Sequence, residues 1–361
     1  MKRIVCVCNT YYQLLMAMSL RQSLFEHDYM SLILTDHSNN AKDVSRKLKE
    51  EKVFDDVKYA EVKELDQGKH DWAQAMGAIV AIVQGSIYRR YDYIGDEPFD
   101  ILLYYNESVF VSMLFSKLNG KVPNLQVARL EEGILSYGNI PSINKRQTLA
   151  YRIRKIIGKN NISDLTNLFY CVYPEYYPGN LRTERIPLNF KSEAQILPLI
   201  KRIFLEGKNI SPYRQKYIFF TSVYDFEGGE PIGEFDLVCK IADVVGKENI
   251  LVKIHPRDYR TVYQDAGFAV DKNSSVPWEI IQLSYDFDHC TFLTVNSGAI
   301  LLGNAVSSDP VSSYFLYKLC DYQKNQCCVA SVKDIEGLFK NAEMRKVFKT
   351  VHVASSIEDI L

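Results

Sequence analysis

The sequence predicts an α/β protein made of two doubly wound domains that face a central cleft. Three observations support this prediction. The chain has 361 residues, which exceeds the usual domain size of about 100 to 200 residues. Short apolar runs alternate with helical patterns, as in parallel sheets that helices cover on both faces. This alternation stops in a polar, helix-rich middle and then restarts, so we place the domains at residues 1–190 and 191–361.

The first half opens with the apolar run RIVCVC at residues 3–8, and a helical pattern through Leu14, Leu15 and Met18 follows it. This pair predicts a β-α unit, because the apolar spacing changes from that of a strand to that of a helix. Similar units follow along the first half. They comprise predicted strands at 30–35, 99–105 and 124–130 and predicted helices at 41–52 and 107–118.

The second half repeats the pattern. Its predicted strands lie at 216–222, 249–254 and 290–295, its predicted helices lie at 232–245 and 276–284, and a further apolar stretch covers 298–306. Two Rossmann-like domains in one chain are the architecture of GT-B glycosyltransferases and of related nucleotide-sugar epimerases.

Composition excludes several classes of protein. Lys and Arg number 43 against 44 Asp and Glu, so a net charge of −1 gives no overall attraction to nucleic acid. No export signal or run of about 18 apolar residues is present, which predicts a cytoplasmic or peripherally attached protein. The eight cysteines lack metal-ligand spacing and are predicted to be reduced thiols.

Ligands of open α/β sheets bind outside the carboxyl ends of the strands, so the residues that follow each apolar run are candidates for the site. The run LVKI ends at His255-Pro256. Proline keeps the preceding residue extended, and an imidazole can be a charged donor near neutral pH. His255 is therefore a candidate general acid, with a solvated or core histidine as the alternative.

A second candidate is Asn296-Ser297-Gly298, where a predicted strand leads into a helix. A helix N-terminus offers backbone N–H groups and partial positive charge, Ser297 adds a hydroxyl, and Gly298 allows close approach. These features suit a phosphate group. A serine that merely caps a buried helix is the alternative.

The third candidate is the acidic pair Glu131-Glu132, which stands before Gly133 at a strand end. Adjacent strand residues point to opposite faces, so we expect one of the two carboxylates to enter a cleft. Partial burial there raises a carboxyl pKa toward that of a general base. We favour Glu132, which adjoins the glycine. Two exposed glutamates before a turn are the alternative.

These three motifs, in this order, resemble those of bacterial sialyltransferases of the polysialyltransferase and lipooligosaccharide sialyltransferase families. The N-terminal stretch CNTYYQLLMAMSL is also similar to the opening of the lipooligosaccharide family, glycosyltransferase family 52. The resemblance implies an inverting, metal-independent enzyme that transfers sialic acid from CMP-sialic acid to a sugar hydroxyl of a lipooligosaccharide or capsule.

The resemblance also implies roles for residues. A carboxylate removes the acceptor proton, His255 assists the departing phosphate, Ser297 and nearby backbone hold that phosphate, and Pro256 lines the cytidine pocket. The likeness to family 52 implies the alternative of a base early in the second domain, so Asp225 is a rival to Glu132. On the acceptor side the resemblance places Thr10, Gln13 and Glu131.

Two further segments remain open to interpretation. Asp286-Phe287-Asp288 matches a metal-binding Asp-x-Asp pattern, but a donor with a single phosphate has less need of metal, and we predict none. Residues 145–159 predict a basic amphipathic helix that either packs on the first domain or contacts anionic lipid or an anionic acceptor.

Three other functions are compatible with the sequence. They are transfer from another nucleotide sugar, UDP-sugar epimerisation, and a glycan-assembly role without activity. The sequence leaves open whether the protein forms a homodimer.

Overall fold

The structure is a computed structural model, and it describes residues 1–67, 72–137, 145–188, 196–208, 210, 213–255, 257–271, 273, 276–301 and 310–361. The chain divides into two compact units. Met1–Glu132 and Asn139–Asn189 form the first unit, and Phe190–Leu361 with Gly133–Gly138 forms the second. Each unit is built on one parallel sheet, which confirms the predicted α/β class with two Rossmann-like domains.

The first sheet has seven strands in the order β3-β2-β1-β4-β5-β6-β7. Its strands are β1 Arg3–Cys8, β2 Tyr29–Thr35, β3 Asp56–Ala60, β4 Ile101–Tyr104, β5 Gln126–Leu130, β6 Thr166–Cys171 and β7 Arg182–Arg185. The second sheet has six strands in the order β10-β9-β8-β11-β12-β13. Its strands are β8 Tyr217–Phe220, β9 Ile250–Lys253, β10 Ala269–Val270, β11 Thr291–Thr294, β12 Ser312–Phe315 and β13 Val351–Val353.

Helices follow most strands and cover the sheets. In the first unit they are α1 Tyr11–Arg21, α2 Ala41–Glu50, α3 Lys63–Asp66, α4 Trp72–Gln84, α5 Val109–Lys121, α6 Lys145–Ile156 and α7 Ile162–Leu165. In the second unit they are α8 Ile196–Leu205, α9 Glu234–Val245, α10 Val262–Asp265, α11 Trp278–Ser284, α12 Gln326–Lys340 and α13 Ala342–Val347. Central strands such as β1 and β4 are almost wholly buried, as their continuous apolar sequence predicts.

Each sheet reverses its strand order once, and this point is where open α/β sheets bind ligands. In the first sheet the reversal lies between β1 and β4, and in the second it lies between β8 and β11. The segments that leave these strands and the neighbouring strands β5 and β9 therefore form the candidate site within each unit.

Several strands were not predicted from the sequence, among them β3, β7 and β13. The strand β7 has the sequence RTER, lies at a sheet edge and buries none of its residues fully. Such a strand lacks both the apolar run and the alternation that predict a strand. The polar middle of the chain, which looked helix-rich, thus also supplies β6 and β7 to the first sheet.

Candidate active site

The acidic pair follows β5 at the carboxyl edge of the first sheet. Glu131 is 2% exposed, and both of its carboxylate oxygens accept hydrogen bonds. Tyr12 Oη donates to one oxygen at 2.5 Å, and the backbone N–H of Val172 donates to the other at 2.6 Å. Glu131 thus connects the end of β5 with α1 and with the segment after β6, which is a structural role. Its predicted contact with the acceptor stays a prediction.

Glu132 has different surroundings. It is half-buried, and burial raises the pKa of its carboxyl to about 7. Hydrogen bonds from the side chains of Gln13, Tyr105 and Thr10 oppose this rise, as does the positive charge of Arg129. A carboxyl that titrates near pH 7 can take up a proton from a substrate hydroxyl. The geometry therefore suits a general base.

The N-terminus of α1 supports this carboxyl. Thr10 is the N-cap, and its hydroxyl accepts the backbone N–H of Gln13 at 3.3 Å. The Gln13 side chain is fully buried, and its Oε1 accepts the N–H of Asn9 at 2.6 Å. Gln13 Nε2 is buried, and its contact with the Glu132 carboxyl opposes the rise in the pKa of that group. Thr10 and Gln13 thus shape the strand-to-helix turn beside Glu132.

In the second unit His255 follows β9. Its backbone N–H donates to Thr221 Oγ1 at 2.8 Å, and its ring Nδ1 accepts the N–H of Arg257 at 3.1 Å. Because Nδ1 accepts a hydrogen bond, the proton of the neutral ring lies on Nε2. Burial and the nearby Arg257 lower the pKa of His255 below its ordinary value. The structure therefore favours a neutral Nε2–H donor, where the sequence suggested a charged one.

Asp225, the rival base, lies in the segment between β8 and α9. Its Oδ1 accepts the backbone N–H groups of Ile232, Gly233 and Glu234 at 3.0, 3.0 and 3.1 Å. Its Oδ2 accepts the N–H of Phe235 at 3.1 Å. A carboxylate with four backbone donors at the start of a helix is a capping group. This geometry favours a structural role for Asp225.

The segment after β11 carries the predicted phosphate-binding residues. Asn296 is 7% exposed, and its Nδ2 donates to the sulfur of Cys328 at 3.5 Å. The N–H of Ser297 donates to Thr294 Oγ1 at 2.9 Å, while Ser297 Oγ accepts the N–H of Ala299 at 3.3 Å. Residues 299–301 are helical. Ser297 Oγ is thus an acceptor within this turn, and its O–H group is the candidate donor to a phosphate.

Gly298 is exposed, and a Cβ there would meet no atom within 4 Å. This open backbone is compatible with the predicted close approach of a phosphate. Pro256, predicted to line a cytidine pocket, lies outside the described residues, as does most of the apolar stretch that begins at Gly298.

Asn325 organises these strand-end segments of the second unit, and sequence reasoning missed it. It is fully buried at the N-cap of α12, where its Oδ1 accepts the N–H groups of Cys327 and Cys328 at 3.1 Å each. Its Nδ2 donates to the carbonyls of Tyr224, Glu227 and Glu230 at 3.3, 2.9 and 3.4 Å. No sequence pattern signals a contact across about 100 residues of chain.

Metal-binding features are scarce in the described part of the chain. Within it, no three His, Cys, Asp or Glu side chains cluster as ligands of a metal ion. In the Asp286-Phe287-Asp288 motif, Phe287 is buried and Asp286 Oδ1 accepts the N–H of Asp288 at 2.9 Å. This motif is therefore a local turn. Metal independence stays a prediction, which turnover in excess EDTA tests.

The basic segment forms α6, but its cations are not all on the surface. Arg154 is 1% exposed, and its Nη1 donates to the carbonyl of Ile82 at 2.5 Å and to Ser116 Oγ at 3.1 Å. Arg154 thus packs on the first domain, which is one of the two alternatives for this segment, because its guanidinium joins α6 to α4 and α5 inside the unit. The opposite face of α6 exposes Leu149, Arg152 and Ile156.

Residues 4–310 match the sequence profile of the family described as Alpha-2,8-polysialyltransferase (POLYST). No curated protein sequence matches the chain. The profile match confirms the resemblance to polysialyltransferases, while assignment to family 52 stays a prediction. In the residues that the structure describes, no helix is long and apolar enough to cross a membrane.

Solved structures with a similar fold include two sialyltransferases. One is an alpha/beta-galactoside alpha-2,3-sialyltransferase from Photobacterium phosphoreum, with 12% identity, a TM-score of 0.47, and 99% of this chain and 98% of that chain covered. The other is the GT-B domain of a Photobacterium damselae sialyltransferase, with 12% identity, a TM-score of 0.47, and 97% and 99% covered.

A UDP-N-acetylglucosamine 2-epimerase is also similar in fold, with 10% identity, a TM-score of 0.47, and 96% of this chain and 90% of that chain covered. At these identities the likenesses concern the fold alone.

Proposed function

Because this chain belongs to the alpha-2,8-polysialyltransferase family and is a CMP-sialic acid-dependent sialyltransferase, we propose that it lengthens a sialic acid chain of a bacterial capsule by an inverting displacement. The family description names an α-2,8 linkage, so the proposed nucleophile is the 8-hydroxyl of a terminal sialic acid. The observation that carries the mechanism is Glu132, a half-buried carboxyl at the end of β5 whose pKa is raised to about 7.

In the proposed reaction the acceptor oxygen attacks C2 of the donor sialic acid, and the bond from C2 to the phosphate oxygen breaks. The acceptor proton moves to Glu132, and CMP departs with the bonding electron pair. His255 Nε2–H donates a hydrogen bond to the departing phosphate, and Ser297 Oγ–H donates another. Hydrogen bonds that strengthen as charge develops on the phosphate lower the barrier.

The two units have separate tasks in this proposal. The first unit binds the acceptor beside Glu132, where Thr10 and Gln13 shape the adjoining turn. The second unit binds CMP beside His255, Ser297 and Gly298, which follow β9 and β11. A donor with a single phosphate suits these few hydrogen-bond donors better than a diphosphate does.

The experiment that tests the proposal incubates the enzyme with CMP-sialic acid and a labelled sialic acid trimer, and separates the products by chain length. We expect longer chains that an α-2,8-specific sialidase removes. Calorimetry should show that CMP binds more tightly than UDP. Transfer from a UDP-sugar, or epimerisation of a UDP-sugar without an acceptor, would contradict the proposal.

We further propose that α6 holds the enzyme against an anionic lipid surface. Leu149 and Ile156 are 49% and 84% exposed. They are seven residues apart and so share one helix face, to which Arg152 also belongs. Lys155 is exposed on the same helix. Apolar side chains beside cations are typical of helices that lie in the interface of an anionic membrane.

Flotation with vesicles that contain phosphatidylglycerol tests this contact. The double variant Arg152→Glu/Lys155→Glu should lose most vesicle binding and keep its turnover on the soluble trimer. The matched control Lys340→Glu/Lys349→Glu reverses two exposed cations of the second unit and should bind like the wild type. Equal loss of vesicle binding in both double variants would show that net charge alone causes the binding. That result would overturn the proposal for α6.

A further inference from the structure

Thr221 lies directly after β8, and it joins the end of β8 to the end of β9. It is 2% exposed, and its backbone N–H donates to the carbonyl of Lys253 at 3.0 Å, which extends the pairing of β8 with β9 by one residue. Its Oγ1 accepts the backbone N–H of His255 at 2.8 Å. A side chain at the end of β8 thus fixes the residue that follows β9.

Three hydrogen bonds restrain His255, and they act on different parts of the residue. The N–H of Arg257 holds ring Nδ1, and the N–H of Asp258 donates to the carbonyl of His255 at 2.8 Å. Both of these bonds are local to the turn that contains His255. The bond to Thr221 reaches the neighbouring strand and therefore sets where that turn stands relative to the sheet.

Thr221 is itself firmly held. The next residue, Ser222, donates its backbone N–H to both carboxyl oxygens of Glu234 at 2.9 Å each. Glu234 is fully buried at the start of α9, and Tyr263 Oη lies 3.5 Å from its Oε1. The end of β8 is therefore anchored to α9, which holds the backbone of Thr221 in place. The hydroxyl of Thr221 is thus a rigid acceptor for the N–H of His255.

We propose that Thr221 is a positioning residue for sialyl transfer: its hydroxyl fixes the backbone of His255 and so directs Nε2 at the departing phosphate. This inference rests on the proposed role of His255. Without the hydroxyl, the N–H of His255 loses its partner, and the turn shifts to satisfy it. A displacement of about 1 Å at a group that acts in the transition state reduces kcat with little effect on ground-state binding.

The test compares Thr221→Val, which keeps the shape and removes the acceptor, with Thr221→Ser, which keeps the acceptor. We expect Thr221→Val to lower kcat about tenfold, with KM for CMP-sialic acid within about twofold of the wild type. Thr221→Ser should stay within about twofold of the wild-type kcat. The matched control Thr166→Val removes a hydroxyl that donates to the carbonyl of Ile162 at 2.8 Å in the first unit, and kcat should not change.

A double-mutant cycle with His255→Ala separates the two proposals. If Thr221 acts through His255, Thr221→Val should reduce the kcat of His255→Ala by less than about twofold. Full activity of His255→Ala would refute the proposed role of His255, whereas the product assay with CMP-sialic acid tests the proposed function itself. If His255→Ala is slow but Thr221→Val has the wild-type kcat, only the positioning role is overturned. The same conclusion holds if the effects of the two substitutions on kcat are fully additive. Thr221→Ala, which creates no overpacking, replaces the valine variant if that variant does not fold, and the same outcomes decide.

Discussion

Each unit has two acidic residues close to the carboxyl end of a strand, and the two pairs invite comparison. In each pair one carboxylate is occupied by backbone N–H groups. Glu131 accepts the N–H of Val172, and Asp225 accepts four consecutive N–H groups at the start of α9. In each pair the other carboxyl has a raised pKa, about 7 for Glu132 and about 8 for Glu234, and burial is the main cause in both.

The two raised carboxyls differ in what surrounds them. Glu234 is fully buried, and both of its oxygens face the backbone N–H of Ser222. Glu132 is half-buried, and its hydrogen bonds come from the side chains of Thr10, Gln13 and Tyr105. A substrate hydroxyl can reach a half-buried carboxyl, whereas a fully buried one serves the fold. A raised pKa alone therefore does not identify a base, and exposure must accompany it.

The largest effect should come from Glu132→Gln. It removes the proposed acceptor of the substrate proton and keeps the size of the side chain and one of its two oxygen acceptors. We expect kcat to fall about 100-fold or more while the affinity for CMP, measured by calorimetry, stays near the wild-type value. The matched control Glu61→Gln changes an exposed glutamate of the same unit and should remain active. An active Glu132→Gln variant would show that Glu132 is not the base and that the base lies outside this unit.

The pH dependence of kcat/KM sharpens the same point. Only ionised Glu132 can accept a proton, and its pKa is about 7. Below that value kcat/KM should fall about tenfold for each pH unit, and above it kcat/KM should level off. Because the pKa of His255 is lowered, a neutral His255 donor adds no fall in activity as pH rises to 8. A bell-shaped profile with a maximum below pH 6 would instead indicate that His255 must be charged.

Asp225→Asn should have a smaller effect on catalysis and a clear effect on stability. The amide retains one oxygen acceptor but replaces the other with a donor that faces the N–H of Phe235. We expect a loss of about 1 to 3 kcal/mol in the free energy of unfolding and a decrease of kcat of less than about tenfold for the folded enzyme. Urea unfolding measures the loss of stability, and kcat per CMP-binding site measures the loss of turnover. An Asp225→Asn variant as stable as the wild type but inactive would reverse the assignment of base and cap.

These comparisons also show how far the sequence could predict the site. The apolar runs of β5 and β9 end before Glu132 and His255, so the rule that ligands bind at strand ends drew attention to both residues. The same rule could have found Thr221 and Tyr105, which follow β8 and β4. The capping role of Asp225 and the contacts of Asn325 depend on how a loop folds back on a helix start, and no residue spacing encodes that. Edge strands such as β7 stayed hidden because polar, half-exposed residues form them.

Glu234→Gln should have the smallest effect on turnover. Its effect on stability should appear specifically in the pH dependence of unfolding. The pKa of Glu234 is raised in the folded protein to about 8, above its ordinary value near 4.5. The folded protein therefore binds this proton more tightly than the unfolded chain does. Its stabilising effect is complete below pH 4.5 and is lost as the pH rises to about 8.

Between pH 6 and pH 8 this single group should remove about 2 kcal/mol from the free energy of unfolding of the wild-type protein. The glutamine side chain of the variant cannot ionise. The free energy of unfolding of Glu234→Gln, measured in urea, should therefore decrease by about 2 kcal/mol less than that of the wild type over the same interval. Glu61→Gln, as the control, should retain the full wild-type dependence. If Glu234→Gln shows the same pH dependence as the wild type, Glu234 is ionised in the folded protein. The contrast between a buried structural carboxyl and an accessible catalytic one would then rest on exposure alone.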